Sequence, residues 1–113
     1  MKPITIILFI LISISPLFSQ DKIVETKFGV QGNCEMCRER IENAALIKGV
    51  KKAEWDKHTQ SITVLFRPDK VDVLDIHKAI AAVGHNTNIV KAKEENYKKL
   101  PYCCAYIENP NVH

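Results

Sequence analysis

Apolar and polar positions change their period several times along this chain. Between residues 22 and 32 they alternate: Phe28 and Val30 stand two apart with polar neighbours, the period of a half-buried strand, and Gly32 breaks it. From residue 37 to 48 the period lengthens. Ile41, Ala44, Ala45 and Lys48 fall on one helical face, and Gly49 supplies a C-terminal stop. Residues 50–68 then predict two strands around a turn at residues 56–60. Ala53 and Trp55 alternate on the first, Ile62, Val64 and Phe66 on the second, and Pro68 ends it. Val73, Ile76, Ile80 and Val83 step by three and four, a second amphipathic helix over residues 72–83 closed by Gly84. Residues 86–93, NTNIVKAK, read as a short fourth strand. The order βαββαβ is that of an α+β, ferredoxin-like sandwich: one antiparallel sheet with both helices on one face. It occupies residues 22–92, and residues 93–113 form a cysteine-containing C-terminal tail.

The first 19 residues follow another pattern. Lys2 is their one charge, an apolar run extends from Ile4 to Leu11, and serines and a proline follow. That predicts a signal peptide cut near Ser19 and Gln20. The run is short and interrupted beside the roughly 20 apolar residues of a spanning helix. The mature chain is then exported, to a periplasm or an equivalent space, and is not an integral membrane protein. If the segment stays uncleaved, it anchors the chain to a membrane. With no cysteine at the cut, a lipid-modified N-terminus is not expected. Net charge changes the picture little: it is +3 without a basic stripe, so nucleic acid is not an expected partner.

The chemistry concentrates in four cysteines, all in the mature part: Cys34, Cys37, Cys103 and Cys104. Export means an oxidising compartment, where disulfides persist and free thiols need a reason. The spacing C-x-x-C at Cys34–Cys37 suits a metal clasp, a redox couple or a structural disulfide. Placed where a loop enters a helix, it points both sulfurs to one side, and the positive helix end favours thiolate. Two soft thiolates suit Cu(I) and, to a lesser degree, Zn(II). A structural zinc site would want four ligands. The pair sits off any apolar stripe and is expected to add little to the core. No acid–base pair or nucleophile triad is evident, so an enzyme is not expected.

With its element order, the chain resembles the heavy-metal-associated domain of copper chaperones, heavy-metal P-type ATPases and periplasmic mercury-binding proteins. The matching residues are Val30, Gly32, Cys34, Cys37, Arg40-Ile41-Glu42, Gly49-Val50, Ile76, Ile80 and Gly84, over residues 24–92. The resemblance implies that Cys34 and Cys37 are the metal ligands and that a metal-transporting P-type ATPase or another metal-exchange protein is the partner. It implies a carrier or scavenger of a soft ion, Cu(I) first, with Zn(II) or Hg(II) as the resistance-type alternatives. The chain departs from the family loop, which is one residue longer and commonly carries a methionine packed beneath it. Asn33 stands where zinc-preferring members often have an acidic residue, which tilts the reading towards Cu(I).

His85 occupies the family loop beside the metal, either as a third ligand, lost below about pH 6 as an ordinary imidazole protonates, as a charge that tunes the thiolates, or as a solvated residue. His58, in the hairpin turn, His77, on the second helix, and His113 are read as non-ligands. The charges Arg38, Glu39, Arg40 and Glu42 are read mainly as solvating a helix, and the resemblance implies that some of them contact a partner that exchanges metal. A thiol–disulfide oxidoreductase is the competing function, though the element order is wrong for it and no tryptophan precedes the pair. For the tail, a fourth strand running to the far end of the sheet leaves just enough chain to return. Tyr97, Leu100, Tyr102 and Tyr106 would then cover the open sheet face and bring Cys103 or Cys104 to the metal end, as a third thiolate ligand or as a disulfide cap over the pair when no metal is bound. The alternative is a loose tail.

Overall fold

The computed structural model describes residues 22–113; the expected signal peptide lies outside them. Three strands, β1 (Val24–Gly29), β2 (Val50–Asp56) and β3 (Ser61–Phe66), form an antiparallel sheet in the order β1-β3-β2. Helix α1 (Glu35–Ala45) joins β1 to β2, and helix α2 (Val73–Ala82) follows β3. This is the ferredoxin-like arrangement read from the periodicity. Among the described residues no helix is long and apolar enough to cross a membrane.

The alternation in each strand decides which face is covered. Phe28, Ile62 and Trp55 lie in one cross-strand row and are buried. Val64 and Phe66 continue that face, and Ile41 of α1 with Ile76 and Ile80 of α2 pack into the same core. Each such side chain contributes ~1.5–3 kcal/mol by leaving water. The opposite face is polar: Lys27 and Glu54 flank Thr63 across the strands. Glu42 ties α1 to the sheet edge, its Oε2 accepting from the Trp55 amide at 2.8 Å and from Arg38 Nε at 3.1 Å.

The fourth strand does not form. Thr87 makes a single bridge to Val30 at the free edge of β1, with the amides of Gln31 and Asn88 bonded to Asn86 and Gly29. There the pairing stops. The Thr87 hydroxyl accepts from the amides of Ile89 (3.2 Å) and Val90 (2.9 Å), and Asn86 Oδ1 accepts from Ala92 at 2.7 Å. Short polar side chains have captured the backbone donors a ladder would use, and the chain turns back on itself.

That early turn sets the course of the tail and corrects the expected route. The chain never travels to the far end of the sheet. Helix α3 (Glu94–Tyr97) starts beside the end of α2, and Pro101 leads into a 3-10 turn, Tyr102–Cys104. Gly84 (φ +104°) makes this packing feasible, since a Cβ there would sit 2.9 Å from the Asn96 carbonyl and 3.1 Å from Leu100. Tyr106 seals the contact: its hydroxyl donates to the Gly84 carbonyl at 2.7 Å and accepts from the Asn86 amide at 3.0 Å. Tyr97 meets the Tyr106 ring edge-on, accepts from the Ile107 amide and donates to Glu108. The tail therefore wraps the loops at the cysteine end, not the sheet face, and Tyr102 is 90% exposed. The charged, polar outer face offers an aromatic tail little to bury against.

Candidate metal centre

Cys34 is the N-cap of α1 in extended conformation, and its carbonyl accepts the Arg38 amide at 3.0 Å. Cys37 follows within the first turn, so both sulfurs face the same side, 3.6 Å apart. Cys104 arrives from the tail, its sulfur 3.5 Å from that of Cys34. The three sulfurs lie within 4.8 Å of one another, all three residues are buried, and all four cysteines are free thiols. Cys37 and Cys104 are wholly inaccessible and pack in the main core, so the cysteine pair belongs to the core more than its loop position suggested.

The loop is held without a methionine beneath it. The Trp55 indole donates to the Val30 carbonyl at 2.9 Å, and its ring edge lies where a Cβ on Gly32 would fall 3.0 Å away. The Gly32 amide donates to Gln60 Oε1 at 3.0 Å. Asn33, read only as a missing carboxylate, is fully buried. Its Oδ1 accepts from the Cys37 thiol at 3.1 Å, and its Nδ2 donates to the Asn109 carbonyl at 2.9 Å. Its own carbonyl accepts the His113 amide at 2.8 Å.

Three thiols in one buried patch titrate unequally. Burial pushes Cys34 up, but hydrogen bonds from the Cys37 amide, the Cys104 and Cys37 thiols and the Met36 amide outweigh it and leave the group below its ordinary value. Burial dominates at Cys37 and raises it. Cys104 is pushed up to about 12, by burial first and then by its thiol neighbours, with Arg40 opposing. Arg40 Nη1 donates to Cys104 Sγ at 3.3 Å. From sequence alone this half-buried arginine belongs to a solvated helix face or a partner-contacting one, not to the sulfurs. Its place three residues after Cys37, hence on the same helical face, was the available signal.

Cys103 stands apart from the three. It is partly exposed, its sulfur donating to Met36 Sδ at 3.3 Å, while its carbonyl lies 3.6 Å from Cys34 Sγ. His85 also lies outside the sulfur cluster. It is not solvated: it is fully buried, stacked 5.3 Å from Tyr106, and its Nδ1–H donates to the Gln31 carbonyl at 2.8 Å. His77 is buried as well, stacked on Phe28 with ring centroids 3.7 Å apart. His58 lies in the exposed turn.

Burial lowers the His85 pKa to about 4, the Gln31 bond opposing and the Arg40 charge assisting. The imidazole therefore stays neutral through the pH 6 region where an ordinary histidine would protonate. In the unfolded chain it takes up a proton below about 6.5. Its contribution is fully present above pH 6.5 and is lost as pH falls from 6.5 towards 4. The loss reaches about 2 kcal/mol by pH 5. Urea unfolding is expected to show a pH dependence shallower by that amount in His85→Gln than in wild type. Parallel curves would mean that His85 titrates alike in both states.

No family model and no curated protein matches the chain. Solved structures do. The apo-form copper chaperone of Enterococcus hirae is 33% identical, with 54% of this chain and 93% of that one covered and a TM-score of 0.51. A copper binding domain from HMA7, a P-type ATPase, is 29% identical over 57% of this chain and 89% of that domain (TM-score 0.55). Oxidized MerP from Ralstonia metallidurans CH34 is 25% identical over 59% and 96% (TM-score 0.56). These structures match the sheet-and-helix unit nearly end to end, and at its cysteine end two thiols meet where a loop enters a helix: the chain belongs to the heavy-metal-associated domain family.

Proposed function

We propose that this chain is a carrier or scavenger of one soft metal ion, Cu(I) first, which it binds as cargo through Cys34 and Cys37. The observation that carries the reading is the buried pair of free thiols 3.6 Å apart at the start of α1. Cys34, the thiol held below its ordinary value, is the one most readily ionised. Two thiolates bind a soft closed-shell ion strongly yet leave its coordination open. The ion then leaves by ligand exchange, each incoming thiolate binding before a resident one departs. The copper proteins among the similar structures support Cu(I), and the P-type ATPase domain supports a partner of that kind. MerP supports Hg(II) as the second cargo. The sequence pattern of residues 1–19 supports export and with it a role outside the cytoplasm.

Anaerobic titration of the reduced mature protein with Cu(I), Zn(II) and Hg(II), against chelators of known affinity, tests this. Stoichiometric Cu(I) binding that survives competition, with much weaker Zn(II) binding, is the expected result. Loss of Cu(I) to a micromolar chelator would overturn it.

A further inference from the structure

We propose that Cys104 is a third thiolate of this site and that the C-terminal tail is a latch over the bound ion. The inference rests on the metal-carrier reading and adds a ligand that lies outside the C-x-x-C motif. An ion bound in a plane by three sulfurs at ~2.3 Å holds them about 4 Å apart. The sulfur of Cys34 stands 3.6 Å from Cys37 and 3.5 Å from Cys104, with all three within 4.8 Å. Small rotations suffice to seat one ion among them.

The tail is built to hold that sulfur in place. Tyr106, two residues on, is bonded to Gly84 and Asn86, and Asn33 bonds Cys37 through one side-chain atom and the Asn109 carbonyl through the other. The loop carrying the motif and the tail carrying Cys104 are thus joined through a single residue. Arg40, bonded to Cys104 Sγ, offsets part of the charge of a third thiolate. On binding, three metal–sulfur bonds form and three thiol protons pass to water; no electron is transferred.

The functional consequence is gating. A two-thiolate ion is open to a partner's thiolate, whereas a three-thiolate ion buried under the tail is not. Opening precedes transfer: the metal–Cys104 bond breaks, the tail lifts and Cys104 takes a proton from water, and from that two-thiolate form each incoming partner thiolate binds before Cys34 or Cys37 departs. The class of cargo narrows accordingly to soft ions stable with three thiolates.

X-ray absorption on the full mature protein with one equivalent of Cu(I), bound anaerobically, reads the shell directly. Three sulfurs are expected in wild type and in Cys103→Ser, and two in Cys104→Ser. Release of Cu(I) to a chelator is expected to be faster by about tenfold or more in Cys104→Ser, as befits a lost ligand. A two-sulfur shell in wild type overturns the latch and leaves the Cys34–Cys37 reading standing. Three sulfurs in a folded Cys104→Ser also overturn it. Failure of wild type to retain Cu(I) at all removes the underlying reading. The wild-type shell decides the matter even if Cys104→Ser does not fold.

Discussion

Cys34→Ser and Cys37→Ser are each expected to weaken Cu(I) binding by about a thousandfold or more, roughly 4 kcal/mol. A hydroxyl is a hard, un-ionised donor at neutral pH and cannot replace a thiolate towards a soft ion. The two variants should differ in stability. Cys34 is slightly accessible at the helix start, so its replacement should be mild. Cys37 is wholly buried against the core, with its thiol bonded to Asn33. Serine keeps that donor but is smaller and more polar, and a cost of ~1–2 kcal/mol is expected. Competition titrations with Cu(I), beside urea unfolding of the apo proteins, separate ligand loss from fold loss. Wild-type affinity in either variant would remove the site assignment.

Trp55→Ala should produce the largest loss of stability, ~3–5 kcal/mol, as for other buried aromatics cut to alanine. Against a total of ~5–15 kcal/mol for a small domain, that brings the chain close to unfolding. The ring does two jobs: it stands in the cross-strand row with Ile62 and Phe28, and it braces Gly32 and the Val30 carbonyl beneath the cysteine loop. Trp55→Phe distinguishes them. It keeps most of the apolar area and removes the indole donor, leaving the Val30 carbonyl unpartnered at ~1–3 kcal/mol. Hydrogen exchange at the amides of residues 31–34 should quicken in Trp55→Phe more than at the β3 amides. Equal changes in both regions would show that the indole supports the core alone and not the loop.

Much of this protein was legible as pattern. Alternation marked β1, β2 and β3, and three-and-four spacing marked α1 and α2, because one-sided burial imposes the element's own period on its apolar residues. The buried Ile41, Ile62, Val64, Phe66, Ile76 and Ile80 are the residues those periods select. The C-x-x-C pair was legible for a related reason: its spacing and the adjoining helix start are both local. The helix boundaries came out shifted by one to three residues, as the observed Glu35–Ala45 and Val73–Ala82 show, since capping is settled by geometry at the ends.

What only the tertiary structure decided lies after Gly84. The segment at residues 86–93 has the β-branched residues of a strand, yet Thr87 and Asn86 spend their side chains on nearby amides and turn it. Apolar periodicity does not register a hydroxyl that outbids a ladder. Chain length alone predicts a return of the tail to the cysteines, and it happens, but by a shorter road. Nothing in the neighbourhood of Cys104 in sequence marks its contact with Cys34, 70 residues away. That contact exists because Gly84 leaves room for Leu100 and Asn96, and because Tyr106 and Asn33 bond across the gap. By itself the sequence determined the sheet, the two helices and the cysteine pair, through one-sided burial and local spacing. The tertiary structure alone singled out Cys104 over Cys103, brought Arg40 to its sulfur and tied Asn33 to the tail at Asn109, because those contacts depend on a turn set by side-chain hydrogen bonds rather than by apolar period.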